Sequence, residues 1–399
     1  MSKQLVTIIF GGQSSEHEIS CLSVMNVIRN LDPERFDMTL VGITKEGKWL
    51  AVSEPSLIES GEWRNSKDSV VFSPDASTKC YYILKNGAAC AASEGATCVA
   101  SEGAACNTEN GAACAASEGA ASGASDNAAP ITVVKPDVVF PVLHGLYGED
   151  GSIQGLFELA KIPYVGCGVL ASCCGMDKFA TKTMVDSLGI RQAAWVGVYR
   201  HEVEEAEKTG SFDALEKRIL EKLSYPVFVK PSRAGSSKGV SKANDTISLI
   251  AALKLAAEHD SKILVEESIK GRELECGVLG DIDIKASGVG EILSGADFYD
   301  FDAKYNDETS ETVTDPDIPA EIREEIRTDA VKIFKILSGS GLSRVDFFWD
   351  AKGVVFNEIN TMPGFTAISM YPMLWEAAGV SKKELVTKLI SLAFVRSGE

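Results

Sequence analysis

Residues 343–365 read SRVDFFWDAKGVVFNEINTMPGF and contain two short segments, 343–350 and 354–360, in which polar and apolar residues alternate. Side chains alternate between the two faces of a β-strand, so each segment predicts a strand with one polar face. The shared faces carry Arg344, Asp346 and Phe348 on the first strand and Phe356, Glu358 and Asn360 on the second. If the two strands are neighbours, their polar side chains form one oxygen-rich cluster.

This cluster of Asp346, Glu358 and Asn360 has the composition of a magnesium site. Mg²⁺ gives up its waters reluctantly and is held by one or two carboxylates together with nucleotide phosphates. The alternative is an ordinary exposed polar face of a sheet. Arg344 on the same strand, and the immediate turn into a Pro-Gly loop, favour the metal site.

A second segment, KPSRAGSSKGV at residues 230–240, is rich in glycine and serine. Its glycines let backbone N–H groups approach an anion closely, and Ser236 and Ser237 add further donors. Its spacing is not that of a P-loop, and a purely structural turn is the alternative. Lys230 begins the segment and Lys178 lies upstream, so both supply the positive charge that a phosphate requires.

A third candidate is the apolar segment 263–267, which is followed by Gly271, Arg272 and Glu273. A strand that runs into a hinge suits an adenine bound to backbone groups, with the Glu273 carboxylate on the ribose hydroxyls. The alternative is that glutamates at the end of a strand are merely solvated.

Two further motifs lie in the first half of the chain, GGQSSEHEIS at residues 11–20 and HGLYGEDG at residues 144–151. Each follows a predicted strand, and open α/β sheets bind ligands at the carboxyl ends of their strands. Glu16 and His144 are the candidate binding residues. Glu16 could equally serve the dipole of the helix that it precedes, and His144 could be a satisfied turn histidine.

Strands and helices alternate along the chain, which indicates an α/β protein that becomes α+β in its C-terminal half. Continuous apolar segments at 5–10, 38–43 and 138–143 predict a parallel sheet, and a helix after the first of them carries Ile19, Leu22, Met25 and Ile28 on one face. The predicted domains are residues 1–171, with a low-complexity insertion at 86–129, residues 172–262 and residues 263–399.

The composition excludes several classes of function. A net charge of −18 argues against nucleic acid as a partner, and no segment resembles a signal peptide or a membrane span. We therefore expect a cytoplasmic protein whose ten cysteines are thiols. Four of them recur every eight residues within 88–127, a block too poor in large apolar residues to fold; a metal-binding or redox tract is the alternative.

Taken together, the motifs resemble those of the ATP-grasp superfamily, and specifically of the D-alanine–D-alanine ligases. The motifs GGQSSEHEIS, HGLYGEDG, MDK, KPSRAGSSKGVSK, FYDFDAKY and SRVDFFWD with NEINTMPGF occur in the family's order. The resemblance implies a three-domain ligase with an N-terminal parallel-sheet domain. It also implies ATP and two Mg²⁺ ions as cofactors, with Mn²⁺ able to substitute, D-alanine as substrate and a homodimer.

The resemblance also implies a role for each motif residue. In the first-substrate site, Glu16 would hold the ammonium, His144 would lie near the carboxylate, and Tyr305 would link through Ser236 to Glu16. The nucleotide would be bound by Lys178, Lys230, Ser236, Ser237, Glu266, the backbone of Glu267 to Ile269, Glu273 and Lys304. Asp346, Glu358 and Asn360 would hold the metal ions.

For the second step, Arg344 and the Gly364 N–H would form an oxyanion hole, and Ser369 with Met370 would receive the second carboxylate. Tyr299 and Tyr305 occupy positions at which D-serine- and D-lactate-forming relatives differ, and tyrosine at both favours D-alanine. D-Serine as acceptor stays open. So does a different class, a non-catalytic nucleotide-binding or scaffold protein that uses its cysteine tract.

Overall fold

The structure, a computed structural model, describes residues 2–85, 131–235, 238–293 and 311–398. The described residues form sheets of seven, four and five strands, with helices packed against them. The insertion predicted at 86–129, with its cysteine repeat, lies outside the described residues. The same holds for Ser236, Ser237, Tyr299, Lys304 and Tyr305, whose roles stay predictions.

The first sheet is mixed, with the order β6-β5-β4-β3-β2-β1-β7. β1 (Gln4–Gly11) pairs in parallel with β2 (Phe36–Ile43) and β7 (Val138–Val142), so the parallel prediction holds for these three strands. The other pairs are antiparallel, and residues 44–48 between β2 and β3 are too few for the crossover that a parallel pair needs. The antiparallel strands are β3 (Trp49–Val52), β4 (Ser69–Phe72), β5 (Tyr81–Leu84) and β6 (Ile131–Val134).

Helix α1 (His17–Arg29) follows β1 and faces the sheet with a side that the apolar periodicity predicted only in part. Leu22 is 61% exposed, whereas Ser20, Ser23, Val24 and Val27 are buried. Ser20 Oγ accepts from Gly11 N at 2.7 Å and donates to the Val142 carbonyl. The predicted face is therefore only partly correct: Met25 and Ile28 pack, partly buried, against the core, whereas Leu22 is exposed and serine hydroxyls occupy the side next to the strand ends.

Four helices connect the first sheet to the rest of the chain or lie on it. Among them, α5 begins at Lys178, where Asp177 caps it by accepting from the N–H groups of Phe179 and Ala180. The helices are α2 (Ser56–Ser60), α3 (Ser152–Ala160), α4 (Val169–Met176) and α5 (Lys178–Asp186).

The second sheet is antiparallel throughout, with the order β10-β9-β11-β8. Its strands are β8 (Trp195–Tyr199), β9 (Val227–Pro231), β10 (Ser241–Ala243) and β11 (Lys262–Glu267), and its helices are α6 (Arg200–Thr209), α7 (Asp213–Leu220) and α8 (Thr246–His259). β11 pairs with β8 and β9, so it belongs to this sheet. The predicted start of the third domain at residue 263 is therefore too early, because it separates β11 from its partners.

The third sheet is also antiparallel, with the order β14-β13-β12-β15-β16. Its strands are β12 (Arg272–Gly280), β13 (Lys285–Leu293), β14 (Glu311–Val313), β15 (Gly341–Asp350) and β16 (Gly353–Asn360), and its helices are α9 (Ala320–Ile336), α10 (Met370–Ala377) and α11 (Lys382–Ser397). Trp375 and Leu389, from the last two helices, share one apolar cluster with Val24 and Phe140. The third sheet thus packs against the first, which brings the end of β16 to the ends of β1 and β7.

Candidate functional site

Two rows of polar residues cross the third sheet, as the alternation of its strands requires. In the first row Glu275, Asp346 and Glu358 are register partners on β12, β15 and β16, and in the next row Arg344 pairs with Asn360. The predicted convergence of Asp346, Glu358 and Asn360 is therefore observed. Glu275 was not predicted, although its spacing of two from Glu273 places both on one face of β12.

A β-bulge places Phe356 on a different face of its strand from the one predicted. The register of β15 and β16 shifts between Asp346 and Phe347, so that Phe347 is opposite Phe356. Both phenylalanines are buried in the apolar core. Phe356 therefore does not share the polar face of Glu358 and Asn360, because the extra residue of the bulge reverses the alternation.

Arg344 links the two rows. Its Nε and Nη2 atoms bind the two oxygens of Asp346 at 2.7 and 2.8 Å, and Nε lies 3.2 Å from Glu275 Oε2. Asn360 Nδ2 donates to Asp346 Oδ2 at 3.0 Å. Burial lowers the pKa of the Arg344 guanidinium, but Asp346 and Glu275 outweigh burial and raise it well above its usual value. Arg344 is thus a half-buried cation that two carboxylates hold in place.

Lys178 joins this sheet to the glycine-rich segment. Its Nζ atom lies 3.1 Å from Glu358 Oε2 and donates to the Ala234 carbonyl at 3.3 Å. Gly235 follows, and a Cβ atom added there would lie 2.8 Å from Glu16 Oε1. The segment therefore passes directly beside the Glu16 carboxylate, which brings the predicted nucleotide and first-substrate residues together.

A buried ion cluster lies beneath the glycine-rich segment. Glu266 Oε1 is 2.7 Å from Lys182 Nζ and Glu266 Oε2 is 2.6 Å from Lys230 Nζ. Burial raises the pKa of Glu266, but the two ammonium groups outweigh burial and lower it to about 2. Burial likewise lowers the pKa of Lys230 and Glu266 raises it, with a net rise. Lys182 was not predicted, although it lies one helical turn after Lys178.

The predicted adenosine residues lie between the second and third sheets. Glu267 Oε1 accepts from the Ala194 N–H at 3.0 Å, and the Glu267 N–H donates to the Ala194 carbonyl at 2.9 Å. Ile269 is half-buried in the segment between β11 and β12. Glu273 is opposite Phe348, on the same face as Glu275. These residues lie on and between β11 and β12, and their role in binding adenosine stays a prediction.

His144 is placed beside the first-substrate residues but is fully engaged with the protein. Its Nδ1 atom lies 2.9 Å from the Met362 carbonyl and its Nε2 atom lies 2.9 Å from Ser23 Oγ. Burial lowers the pKa of His144, against the nearby Glu16 carboxylate, which raises it. The imidazole is therefore neutral near pH 7, and a direct bond to a substrate carboxylate would have to replace Ser23.

The segment after β16 carries the remaining predicted residues. Ser369 Oγ accepts from the Thr366 N–H at 2.9 Å and lies 2.8 Å from Thr366 Oγ1. A Cβ atom added at Gly364 would lie 3.1 Å from Ser369 Oγ, so these residues form one tight turn. Met370 is buried and begins α10, whose N-terminus carries N–H groups that favour an anion. Thr366 was not predicted.

Two observations concern the described part of the chain as a whole. None of its helices combines the length and apolar character that crossing a membrane requires. Its six cysteines are all unpaired, in agreement with the thiols expected from sequence.

Comparisons with known proteins agree over the whole chain. Residues 5–167 match the family model described as D-ala D-ala ligase N-terminus, and residues 184–391 match D-ala D-ala ligase C-terminus. A D-alanine–D-alanine ligase of Acetivibrio thermocellus is 48% identical, with 99% of this chain and 96% of the relative covered. One of Ruminiclostridium cellulolyticum is 45% identical, with coverage of 99% and 96%.

Solved structures give the same result. The VanG D-Ala:D-Ser ligase of Enterococcus faecalis superposes with a TM-score of 0.79 and 35% identity, covering 98% of this chain and 100% of that one. The D-alanine–D-alanine ligase of Coxiella burnetii gives 0.75 and 28% identity, with coverage of 100% and 96%. These matches confirm the resemblance found in the motifs, and the chain belongs to the D-alanine–D-alanine ligase family.

Proposed function

We propose that this protein joins two D-alanine molecules to D-alanyl-D-alanine at the expense of ATP, for peptidoglycan precursor synthesis. The observation that carries the proposal is that Lys178 binds Glu358 on one side and the Ala234 carbonyl, beside Gly235 and Glu16, on the other. The phosphate-binding candidates, the carboxylate row and the first-substrate residue therefore form one continuous site. Full-length D-alanine–D-alanine ligase relatives support the same reaction.

The nucleotide occupies the edge between the second and third sheets in this proposal. Lys178 and Lys230 bind its phosphates, while Glu266, the backbone at Glu267 to Ile269, and Glu273 bind adenosine. Glu266 stays ionised because two lysines flank it, so it can accept a hydrogen bond from the exocyclic amine of adenine. Ser236, Ser237 and Lys304 are expected to complete the phosphate site.

Two Mg²⁺ ions fit the donor set of Asp346, Glu358 and Asn360, with Mn²⁺ as a substitute. All the donor atoms are oxygens, and the paired cations Arg344 and Lys178 indicate how much negative charge the row carries. Bound there, the ions would shield the charge between a substrate carboxylate and the nucleotide phosphates. Removal of divalent ions by a chelator should abolish turnover, and Mn²⁺ should restore it.

The reaction balances in two steps. A carboxylate oxygen of the first D-alanine attacks the γ-phosphorus of ATP, and the bond from that phosphorus to the β-γ bridging oxygen breaks. ADP is the leaving group, and D-alanyl phosphate, an acylphosphate, is formed. The amine of the second D-alanine then attacks the carbonyl carbon, loses a proton, and inorganic phosphate departs. Glu16 holds the first ammonium, with His144 close to its carboxylate.

The tetrahedral intermediate of the second step carries an oxyanion. Arg344, a half-buried cation, and the Gly364 N–H would bind it, and such groups stabilise an oxyanion strongly in a site from which water is excluded. The second substrate's carboxylate is received by Ser369 and Met370 at the N-terminus of α10, where helix N–H groups favour an anion. Tyr305 and Tyr299 are expected to close the site and select the acceptor.

D-Serine is the alternative acceptor, because a D-Ala:D-Ser ligase superposes on nearly all of the chain. The greater identity to D-alanine–D-alanine ligases favours D-alanine. We also infer three domains, with the boundary between the second and third after Glu267. A homodimer and a cytoplasmic location stay predictions.

The test is to incubate the protein with ATP, Mg²⁺ and D-alanine, with D-serine and D-lactate as competitors, and to identify products by mass spectrometry. Predominance of D-alanyl-D-alanine supports the proposal. A mixed product with D-serine or D-lactate would retain the mechanism and refute the acceptor. If no ADP forms in the presence of D-alanine, the ligase proposal fails and a non-catalytic role becomes the better hypothesis.

A further inference from the structure

The segment from Thr361 to Thr366 follows the last strand of the third sheet. Its backbone is nevertheless bound by side chains from the N-terminal part of the chain that forms the first sheet, which we call the first region. Met362 N donates to Glu149 Oε1 at 2.7 Å, and the Met362 carbonyl faces His144 Nδ1 at 2.9 Å. Four side chains take part in this frame, which we call the N-terminal frame: Ser23 and Asn26 on α1, and His144 and Glu149 in the HGLYGEDG loop.

The other half of the N-terminal frame comes from α1. Phe365 N donates to Ser23 Oγ at 3.1 Å, and Asn26 Nδ2 donates to the Phe365 carbonyl at 2.9 Å. Both backbone groups of Met362 and both of Phe365 are thus bound on either side of Gly364. The position of the Gly364 N–H, between them, is consequently set from the first region.

Glu149 is the member of the frame that spans two loops. While Oε1 accepts from Met362 N, Oε2 accepts from Gly145 N at 2.8 Å, and the side chain is buried. A carboxylate offers only acceptors, so it can bind two N–H groups at once. A glutamine amide cannot do this, because it presents an NH₂ donor in place of one of the two oxygens.

The bond directions in the frame are fixed by its chemistry. The Met362 carbonyl can only accept, so His144 carries its proton on Nδ1 and its Nε2 atom accepts from the Ser23 hydroxyl. Ser23 Oγ then accepts from Phe365 N. The chain from His144 to Phe365 is therefore fully satisfied, and each bond depends on its neighbours.

Apolar packing holds the same segment in place. Met362 and Phe365 are 5% and 2% exposed and belong to the apolar cluster of Val24 and Val27 on α1. The side chains anchor the segment to the first region, whereas the hydrogen bonds determine its orientation. Removal of one hydrogen-bonding group should therefore change the orientation of the segment 361–366 while its side chains stay packed against the first region.

We propose that Glu149, Ser23 and His144 are positioning residues. They orient the Gly364 N–H toward the reacting carbonyl. The region that holds the first substrate thereby fixes the oxyanion donor that the third region contributes. This inference rests on the proposed ligase function. It assigns Glu149 no contact with substrate, and it gives His144 a role through Met362.

The test compares Glu149→Gln with Asp150→Asn, its neighbour in the same loop. Asp150 also accepts two backbone N–H bonds, from Tyr147 at 2.9 Å and Ser152 at 3.0 Å, but both lie within its own loop. Glu149→Gln should lower kcat for dipeptide formation by about 10-fold or more, short of the 10²–10³ that loss of an oxyanion donor costs. Asp150→Asn should stay within about threefold of the wild type, since its bonds do not reach Gly364.

A tetrahedral phosphinate analogue of D-alanyl-D-alanine supplies the second readout. Its affinity for Glu149→Gln should fall in parallel with kcat, while the ATP KM stays unchanged, because an analogue of the transition state reports oxyanion binding. A merely destabilised protein would lose active sites without changing the affinity of those that remain. If Glu149→Gln does not fold, Ser23→Ala, which removes the bonds to Phe365 and His144, replaces it.

The inference is overturned if Glu149→Gln turns over like the wild type, or if Asp150→Asn is impaired to the same degree. It is also overturned if kcat falls with no change in phosphinate affinity. A wild-type protein that forms no dipeptide would refute the proposed function, and this inference with it. An active wild type with an unaffected Glu149→Gln would refute this inference alone.

Discussion

Two buried glutamates, at opposite ends of the site, are held in opposite ways. Glu266 lies between the ammonium groups of Lys182 and Lys230, at 2.7 and 2.6 Å. Glu149 lies between two backbone N–H groups, with the Glu16 carboxylate nearby. Burial is the largest influence on both and raises both pKa values. The lysines nevertheless lower the pKa of Glu266 to about 2, whereas Glu16 adds to burial and raises that of Glu149 to about 8.

The difference shows that, for two carboxylates that are both buried, the neighbouring charges decide which way the pKa moves. Backbone dipoles lower the pKa of Glu149 less than two full charges lower that of Glu266. The nucleotide end of the site is consequently a permanent ion cluster, suited to phosphate. At the first-substrate end, Glu149 has a pKa close to neutral pH, so its charge can change when an ammonium binds at Glu16.

Removal of Arg344, which lies on the third sheet between the two ends, should have the largest effect. Arg344→Met leaves Asp346 and Glu275 without their cation and deletes an oxyanion donor, so kcat for dipeptide formation should fall by about 10²–10³ or more. Steady-state kinetics with D-alanine measure this. Arg191→Met is the control, because Arg191 pairs with Asp350 at 2.8 Å at the far end of β15. Equal losses in both variants would contradict a role for Arg344 in the chemistry.

The ion cluster at Glu266 should be sensitive to loss of either lysine. Lys182→Met leaves a buried carboxylate with one cation, which should lower the free energy of unfolding by about 3 kcal/mol, since breaking a buried ion pair is costly. Lys254→Met removes an exposed pair with Glu207 and should cost less than about 0.5 kcal/mol. Denaturant unfolding measures both variants. A Lys182→Met protein as stable as Lys254→Met would show that Lys230 alone suffices.

Stability should depend on pH in opposite senses at the two ends. The pKa of Glu266 is below its usual value, so its contribution is present above about pH 4.5 and is lost as pH falls toward 2. The pKa of Glu149 is above its usual value, so its contribution is present at low pH and is lost as pH rises through about 8.

Glu149→Gln isolates the second effect. Between about pH 5 and 8 the free energy of unfolding of the wild type should fall more steeply than that of Glu149→Gln, by up to about 1.4 kcal/mol per pH unit, and above pH 8 the two should run parallel. Urea unfolding at several pH values tests this expectation. Parallel curves would show that the two backbone donors keep Glu149 ionised throughout, and the contrast with Glu266 would then disappear.

The sequence predicted a strand or helix well where a regular apolar pattern ends at a distinct polar or charged residue. The strand predicted at 263–267 is β11 (Lys262–Glu267), because its apolar run ends at charged residues. β13 was missed because glycines weaken its strand signal. Gly290 is required there for a tertiary reason, since a Cβ atom would lie 2.4 Å from Met370 Sδ.

The candidate site was predictable in its residue types but not in its connections. Lys182 could have been found from its helical spacing to Lys178, and Glu275 from its strand spacing to Glu273. The bulge at Asp346 and the N-terminal frame could not, because both depend on how distant segments pack. A sequence states which groups can donate or accept; only the fold decides that His144 meets Met362 and Ser23.

The smallest expected effect is a proton released when D-alanine binds. An ammonium at Glu16 would cancel the repulsion that helps to raise the pKa of Glu149, so the pKa should fall and Glu149 should lose part of a proton near pH 8. Titration calorimetry of D-alanine binding, in two buffers of different ionisation enthalpy, measures the release. Glu149→Gln should show the same heat in both buffers. Release that persists in Glu149→Gln would place the proton elsewhere, and equal heats for the wild type would mean that Glu149 is already ionised before the ammonium binds.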